Sequence, residues 1–273
     1  MRLGCSTLTF GPQSLEEALE HIAELDFTVI DLSAVPALFN HVDLVTRDPG
    51  QVSRIASLVR DFGFEVAGVQ SVPWHPDAID DFDELTHRYT VAADVAQAVG
   101  AKAWIVDGNR PEPENGGHAR AIDRFKRSIS LAAELASARD LRLGIETPHR
   151  GTLAETLDQV VELLDASDIP NLGVDLDTSH MLNSGSSSVD IVEAVGQRIV
   201  HIALRDSHLD GTFCTPGEGN FDFAEFFKLV KSTGYQGDMT LELEPVDRNS
   251  SATERANEAA RARQYLEPMI AAL

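Results

Sequence analysis

The sequence predicts a single (β/α)8 barrel, an α/β TIM barrel spanning residues 1–273 as one domain. Three observations predict it: eight short β-branched runs, longer amphipathic segments between them, and a length typical of one closed barrel. The 43% hydrophobic content is enough to fill a barrel and to cover it with helices.

The runs lie near 2–7, 28–32, 65–69, 102–106, 142–146, 172–176, 199–204 and 239–244. Between the first two, Ser14-Leu-Glu-Glu17 reads as a capping box, and Leu15, Ala18, Leu19, Ile22 and Leu25 share one helical face. Asp48-Pro49-Gly50-Gln51 places a cap and then proline at the first helical position. The segments 82–99 and 118–139 are long and amphipathic. Thr152-Leu-Ala-Glu155 and Asp222-Phe-Ala-Glu225 repeat the cap-plus-Glu pattern, and 254–272 reads as a closing helix. Strand and helix alternating to the end implies parallel pairing with right-handed crossovers. A doubly wound sheet would carry a glycine-rich fingerprint after the first strand, and Gly11-Pro12-Gln13-Ser14 is not one. The clusters at 107–117, 183–188 and 215–220 read as βα loops, where a barrel keeps its chemistry.

A net charge of −22 argues against nucleic-acid and anionic-membrane partners, because binding phosphate backbones takes clustered Lys and Arg. No run approaches the roughly 20 apolar residues that span a bilayer. The first residues lack the pattern of a secretory signal, so a cytoplasmic protein is expected. Cys5 and Cys214 are too few for a disulfide framework or a thiolate zinc site.

Candidate chemistry sits at strand ends. Strand five ends in Gly144-Ile-Glu146-Thr-Pro-His149, strand six in Val174-Asp-Leu-Asp177-Thr-Ser-His180, and strand eight in Leu241-Glu242-Leu-Glu244. Each acid alone is equally well a cap or a loop carboxylate. Several carboxylates converging among apolar strands must share protons, meet cations or bind a metal. An oxygen-rich site suits Mn2+, with Mg2+ or Co2+ as alternatives. Such an ion would stabilise an enediolate, and two glutamates flanking the reacting carbon would exchange its proton.

Three segments resemble the sugar phosphate isomerase/epimerase superfamily, the xylose isomerase-like barrels. That group includes ketose 3-epimerases, hydroxypyruvate isomerases, inosose isomerases and dehydratases, and apurinic endonucleases. Asp177-Thr-Ser-His180 is similar to its Asp-Thr-x-His. Gly234-Tyr-Gln-Gly237 followed by Glu242 resembles its Gly-Tyr-x-Gly and strand-eight glutamate. Pro216-Gly-Glu-Gly219 with Phe221-Asp222-Phe223 resembles the loop after strand seven. The resemblance implies Glu146, Asp177 and Glu242 as metal ligands, Glu146 and Glu242 as proton-transfer residues, and His180 as a substrate contact. It further implies a small carbohydrate or cyclitol substrate and a homo-oligomer. The family's endonucleases use a histidine-rich multi-metal site, which nine scattered histidines and an acidic surface do not suit.

Strand seven departs from the pattern. The family commonly reads His-Val-His-Leu-Lys-Asp, its second histidine being the fourth metal ligand. Here the run is His201-Ile-Ala203-Leu-Arg205-Asp206. Alternation turns His201, Ala203 and Arg205 to one side, with His201 one layer deeper. Three outcomes stay open. A metal is held by the carboxylates, with water or His208 replacing the lost ligand; or the metal is absent and Arg205 supplies the charge; or the barrel only binds. The expected activity is isomerisation or epimerisation of a small unphosphorylated sugar, keto-acid or cyclitol, with a lyase or dehydratase as the alternative. Further substrate contacts are expected from Arg205, His149 and Trp74. Asp31 is placed at the end of strand two, and the Pro216–Gly219 glycines are read as serving the turn into the Asp222 cap.

Overall fold

The computed structural model describes residues 1–36, 39–72, 81–109, 117–244 and 249–273. Its barrel strands are β1 (Leu3–Ser6), β2 (Val29–Val35), β3 (Glu65–Ser71), β4 (Ala103–Asp107), β5 (Arg142–Glu146), β6 (Gly173–Asp177), β7 (Ile199–Leu204) and β8 (Met239–Leu241). Each pairs in parallel with the next. The pairing of β1 with both β2 and β8 closes the ring, so all eight expected runs are barrel strands. The helices on the outside are α1 (Leu15–Glu24), α2 (Gln51–Phe62), α3 (Phe82–Ala98), α4 (Gly117–Ser137), α5 (Leu157–Ser167), α6 (Thr178–Asn183), α7 (Ser188–Val195), α8 (Phe223–Thr233) and α9 (Ala252–Ala271).

Local chemistry explains most helix starts. The Ser14–Glu17 capping box is formed, and Ala18, Leu19 and Ile22 of α1 are buried against the strands. Asp222 caps α8 by accepting from the Glu225 N–H. Two caps fall elsewhere than expected. Pro49 lies before α2, whose N-cap is Gly50; the Asp48 carboxylate is taken by the Gly50 N–H and Arg54. The Thr152–Glu155 pattern starts no helix. Thr152 instead donates to the His149 carbonyl and Glu155 accepts from the Gly151 N–H, while Thr156 and Gln159 form the capping box of α5.

The outer layer between strands and helices is apolar, with Trp104, Phe125, Phe226 and Ile30 fully buried. The barrel interior is layered. At its base Ala103, Ile105 and Val200 pack together. Gly144 and Gly173 make room for Val200, since a Cβ on Gly173 would stand 2.1 Å from it. Polar layers lie above, toward the carboxyl ends of the strands.

Candidate active site

The lower polar layer is built on His201. Its Nδ1 lies 2.8 Å from Asp175 Oδ1 and its Nε2 2.9 Å from Asp31 Oδ2. Thr240 donates to the same Asp31 oxygen. A register irregularity between Val174 and Asp175 sets Asp175 opposite His201. Burial works against a charged imidazole, but the flanking Asp31 and Asp175 carboxylates raise His201 well above the usual histidine value. His201 is therefore held at both ring nitrogens by buried acids, which favour its charged form. Asp31 sits here, inside β2, and not at the strand's end as expected: β2 runs on for four residues beyond it.

The upper layer gathers the strand-end residues. Glu146 closes β5 and Asp177 closes β6, while Arg205 and Glu242 directly follow β7 and β8. All four are buried. Ala203 pairs with Asp177 on one side and Thr240 on the other, and offers no donor atom. The Arg205 guanidinium extends into the carboxylates. Its Nη2 donates to Asp177 Oδ2 at 2.6 Å and to His180 Nε2 at 2.9 Å, and its Nε donates to Ser179 Oγ at 2.9 Å. Its Nη1 lies 3.7 Å from Glu242 and 3.4 Å from Glu244, and Phe213 stacks beneath it at 4.0 Å. A cavity of 290 Å3 opens beside Arg205, lined also by Leu243, Glu258 and Arg261.

Asp177 is heavily engaged. Its Oδ1 accepts from the Ser179 N–H, the Ser179 hydroxyl and the His180 N–H, while Oδ2 faces Arg205. Burial alone would raise its carboxyl, but the Arg205 charge and these hydrogen bonds hold it at about 2. Glu146 and Glu242 behave oppositely. Burial, reinforced by the Asp175 and Asp177 charges, pushes Glu146 well above the usual carboxylate range. Burial does the same to Glu242; Arg205 offsets part of it, and the Glu146 charge adds to it.

Two histidines complete the layer. The chain leaves β5 through Thr147 and a cis Pro148 to His149, whose ring lies 3.9 Å from that of His180. Burial lowers both imidazoles, His180 far below its usual value, so both are neutral. The His149 Nδ1–H donates to the Arg150 carbonyl, which leaves a lone pair on Nε2, 3.8 Å from Glu146 Oε1. His180 Nε2 accepts from Arg205 and lies 3.6 Å from the same oxygen. Both approaches to Glu146 are longer than hydrogen bonds, and with neutral rings they are not ion pairs.

The structure thus brings together Glu146, Asp177, Glu242, His180, Arg205 and His149. His208 lines the cavity beside Arg205 but is exposed there, with its backbone N–H donated to the Thr212 carbonyl, and it joins neither metal-capable group among the described residues. Trp74 lies outside the described residues. Asp175 went unselected in the sequence, although it stands two residues before Asp177 and so shares its face. The Pro216–Gly219 loop does more than turn into a cap. The N–H groups of Gly217, Gly219 and Phe221, with that of Ser207, converge on the buried Asp206 carboxylate.

Two groups among the described residues can hold a divalent metal ion: Glu146 with Asp177 and Glu242, and Glu146 with His149 and His180. In each, the donor atoms lie within 4.8 Å of one another. The charges fit such an ion. Three buried carboxylates facing one guanidinium leave two negative charges, which a dication balances and which protons otherwise must.

A family model described as the xylose isomerase-like TIM barrel matches residues 19–269. The chain belongs to that family. Among its relatives is an uncharacterized protein of Methanocaldococcus jannaschii, 26% identical over 89% of this chain and 83% of the relative. A 3-dehydroshikimate dehydratase of Pseudomonas aeruginosa is 28% identical over 84% of this chain, which spans only 36% of that enzyme's length. An inosose dehydratase of Clostridium botulinum is 23% identical over 68% of this chain and 70% of the enzyme. Among solved structures, an IOLI protein with a bound zinc atom superposes with a TM-score of 0.77 at 15% identity, covering 99% of this chain and 98% of that one. An L-ribulose 3-epimerase superposes at 0.76 and 19% identity, covering 99% and 95%. These structural likenesses show the shared barrel.

Proposed function

We propose that the chain isomerises or epimerises a small unphosphorylated sugar, keto-acid or cyclitol through an enediolate. The observation that carries this reading is geometric: two buried glutamates, Glu146 and Glu242, bring carboxylate oxygens within 4.8 Å of each other, with the Arg205 guanidinium beside Glu242, and burial raises both carboxyls. A carboxyl tuned upward exchanges a proton near neutral pH, as a base when ionised and an acid when protonated. One glutamate removes the proton beside the substrate carbonyl, and the other returns one at the same or the adjacent carbon.

Arg205 and His180 orient the substrate oxygens. Arg205 is locked by Asp177 and Ser179, so its fixed positive charge needs no rearrangement as negative charge develops. His149 packs its ring against that of His180. The residues available for a divalent ion are Glu146, Asp177, Glu242, His149 and His180. The carboxylate group suits the Mn2+, Mg2+ or Co2+ expected from sequence, and the imidazole group suits Zn2+ and its neighbours. When bound, such an ion supplies positive charge to adjacent substrate oxygens.

A lyase is the second reading, supported by the dehydratase names of the curated relatives. It shares the first proton abstraction, after which His180 would assist departure of a β-hydroxyl. The test is incubation with ketoses, inososes and 3-keto acids in D2O. Deuterium next to the carbonyl without loss of water supports isomerisation, and loss of water replaces it with the lyase. Glu242→Gln is expected to slow label uptake about 100- to 10,000-fold. Unchanged uptake in both Glu146→Gln and Glu242→Gln overturns the proton-transfer assignment.

A further inference from the structure

The two candidate metal groups share Glu146 and differ in everything else. In the carboxylate group, Asp177 has little left to give. Three donors occupy its Oδ1, and the Arg205 Nη2 stands 2.6 Å from its Oδ2. Each carboxylate oxygen has about two lone-pair sites, so Oδ1 is saturated and the one left on Oδ2 lies beside a guanidinium 2.6 Å away. Strand seven adds nothing, because Ala203 faces this space with a methyl group.

The other group has the opposite character. His149 donates its Nδ1–H to the Arg150 carbonyl and turns a bare lone pair on Nε2 toward Glu146 Oε1. A ring nitrogen fixed by a carbonyl on its far side is the arrangement that orients metal-ligating histidines. His180 Nε2 approaches the same oxygen, and its proton, on Nδ1, meets no acceptor among the described residues. Three lone-pair atoms thus converge with no donor between them except one Arg205 N–H.

We infer that the chain carries two cations side by side: Arg205 neutralises Asp177, and a divalent ion binds between Glu146, His149 and His180. The site is displaced toward strand five, away from Ala203. Coordination by His180 Nε2 replaces one guanidinium hydrogen bond and leaves Arg205 its bonds to Asp177 and Ser179. The charges then close, with the dication opposite Glu146 and Glu242. Two imidazoles and one carboxylate favour Co2+ and Zn2+ over Mn2+, by ligand type and by the general affinity order of divalent metals.

The inference rests on the proposed activity only for why a dication is wanted there, and its test uses no substrate. Failure of the site and failure of the reaction are therefore separately visible. Chelator-treated full-length protein is titrated calorimetrically with Co2+ and with Mn2+, and Co2+ is expected to bind more than about 10-fold tighter. His149→Ala is expected to weaken Co2+ binding by about 10- to 100-fold, and Asp177→Asn by less than about threefold. Greater loss in Asp177→Asn than in His149→Ala overturns the inference, as does absence of Co2+ binding by the unaltered chain.

Asp177→Asn removes the Arg205 partner and can fail to fold, so a second measurement uses the unaltered chain. On addition of Zn2+, the imidazole nitrogen resonances of His149 and His180 are expected to move while those of His201 stay. Shifts that leave His149 unmoved overturn the placement.

Discussion

Arg205→Met tests whether the guanidinium is a structural cation of this barrel. Methionine keeps an unbranched chain of similar length and removes every donor. The loss leaves the buried Asp177 carboxylate without its partner and deprives Ser179 and His180 of a hydrogen bond. Breaking one side of a buried pair costs about 3–5 kcal/mol. The Asp177 carboxyl gives an order-of-magnitude scale: its fall from 3.8 to about 2 corresponds to roughly 2 kcal/mol of folding linkage, shared between Arg205 and the hydrogen bonds to Oδ1. Both point to a few kcal/mol. At the usual unfolding entropy per residue, that lowers the melting temperature by about 5–9 °C.

The sign with pH follows from Asp177. A lowered carboxyl contributes stability that is present above about 3.8 and is lost as pH falls through 2. The gap between Arg205→Met and the unaltered chain is therefore widest near pH 7 and narrows below pH 4. The assay is urea and thermal unfolding across that range with chelator present, so that metal binding cannot contribute. A double-mutant cycle with Asp177→Asn isolates the pair and is expected to give a coupling above about 2 kcal/mol. An Arg205→Met melt equal to the unaltered protein at pH 7 refutes the reasoning.

His201, raised by Asp31 and Asp175, is expected to keep both ring nitrogens protonated above pH 6.5, seen as two imidazole N–H resonances. Its contribution to stability is fully present below about 6.5 and is lost as pH rises through the raised value. His201→Asn is accordingly destabilised by about 3–5 kcal/mol at pH 6.5 by urea unfolding, a gap that shrinks at alkaline pH; a constant gap argues against the charged form. Asp206→Ala removes the acceptor of four backbone N–H groups, so amide exchange at Gly217, Gly219 and Phe221 is expected to accelerate more than about 10-fold. Equal acceleration in the barrel strands would instead mean global destabilisation.

The strands were legible because each is a compact β-branched run, and the parallel closure follows once eight alternate with helices. Glu146, Asp177 and Glu242 were legible because the carboxyl ends of barrel strands face one space. The cap at Thr152 was misread because the same four-residue pattern recurs at Thr156–Gln159, and only packing chooses between them. Asp31 was misplaced for a related reason: a run of β-branched residues does not say where β2 stops. The Asp175–His201 contact depends on a register irregularity in the middle of β6, which no local pattern announces. His208 was attractive by proximity in sequence, yet the hairpin formed by Asp206–Ser207 and Phe213–Cys214 leaves it in solvent.

On the two-cation proposal, strand seven shows how one residue would move a site without emptying it. Ala203 removes a donor from the centre of the carboxylates, and a neutral gap there would leave Asp177 buried and unpaired. Arg205, two residues on and on the same side, meets that need with a geometry that commits Asp177 to hydrogen bonds. Once Asp177 is committed, the remaining negative charge belongs to Glu146 and Glu242, whose carboxyls are raised first by burial and then by the neighbouring acidic charges. Lone pairs for a further cation are left beside Glu146 and not beside Ala203, on the imidazoles of His149 and His180. Restoring histidine with Ala203→His would therefore not be enough to return a cation to the centre, because Arg205 would still hold Asp177.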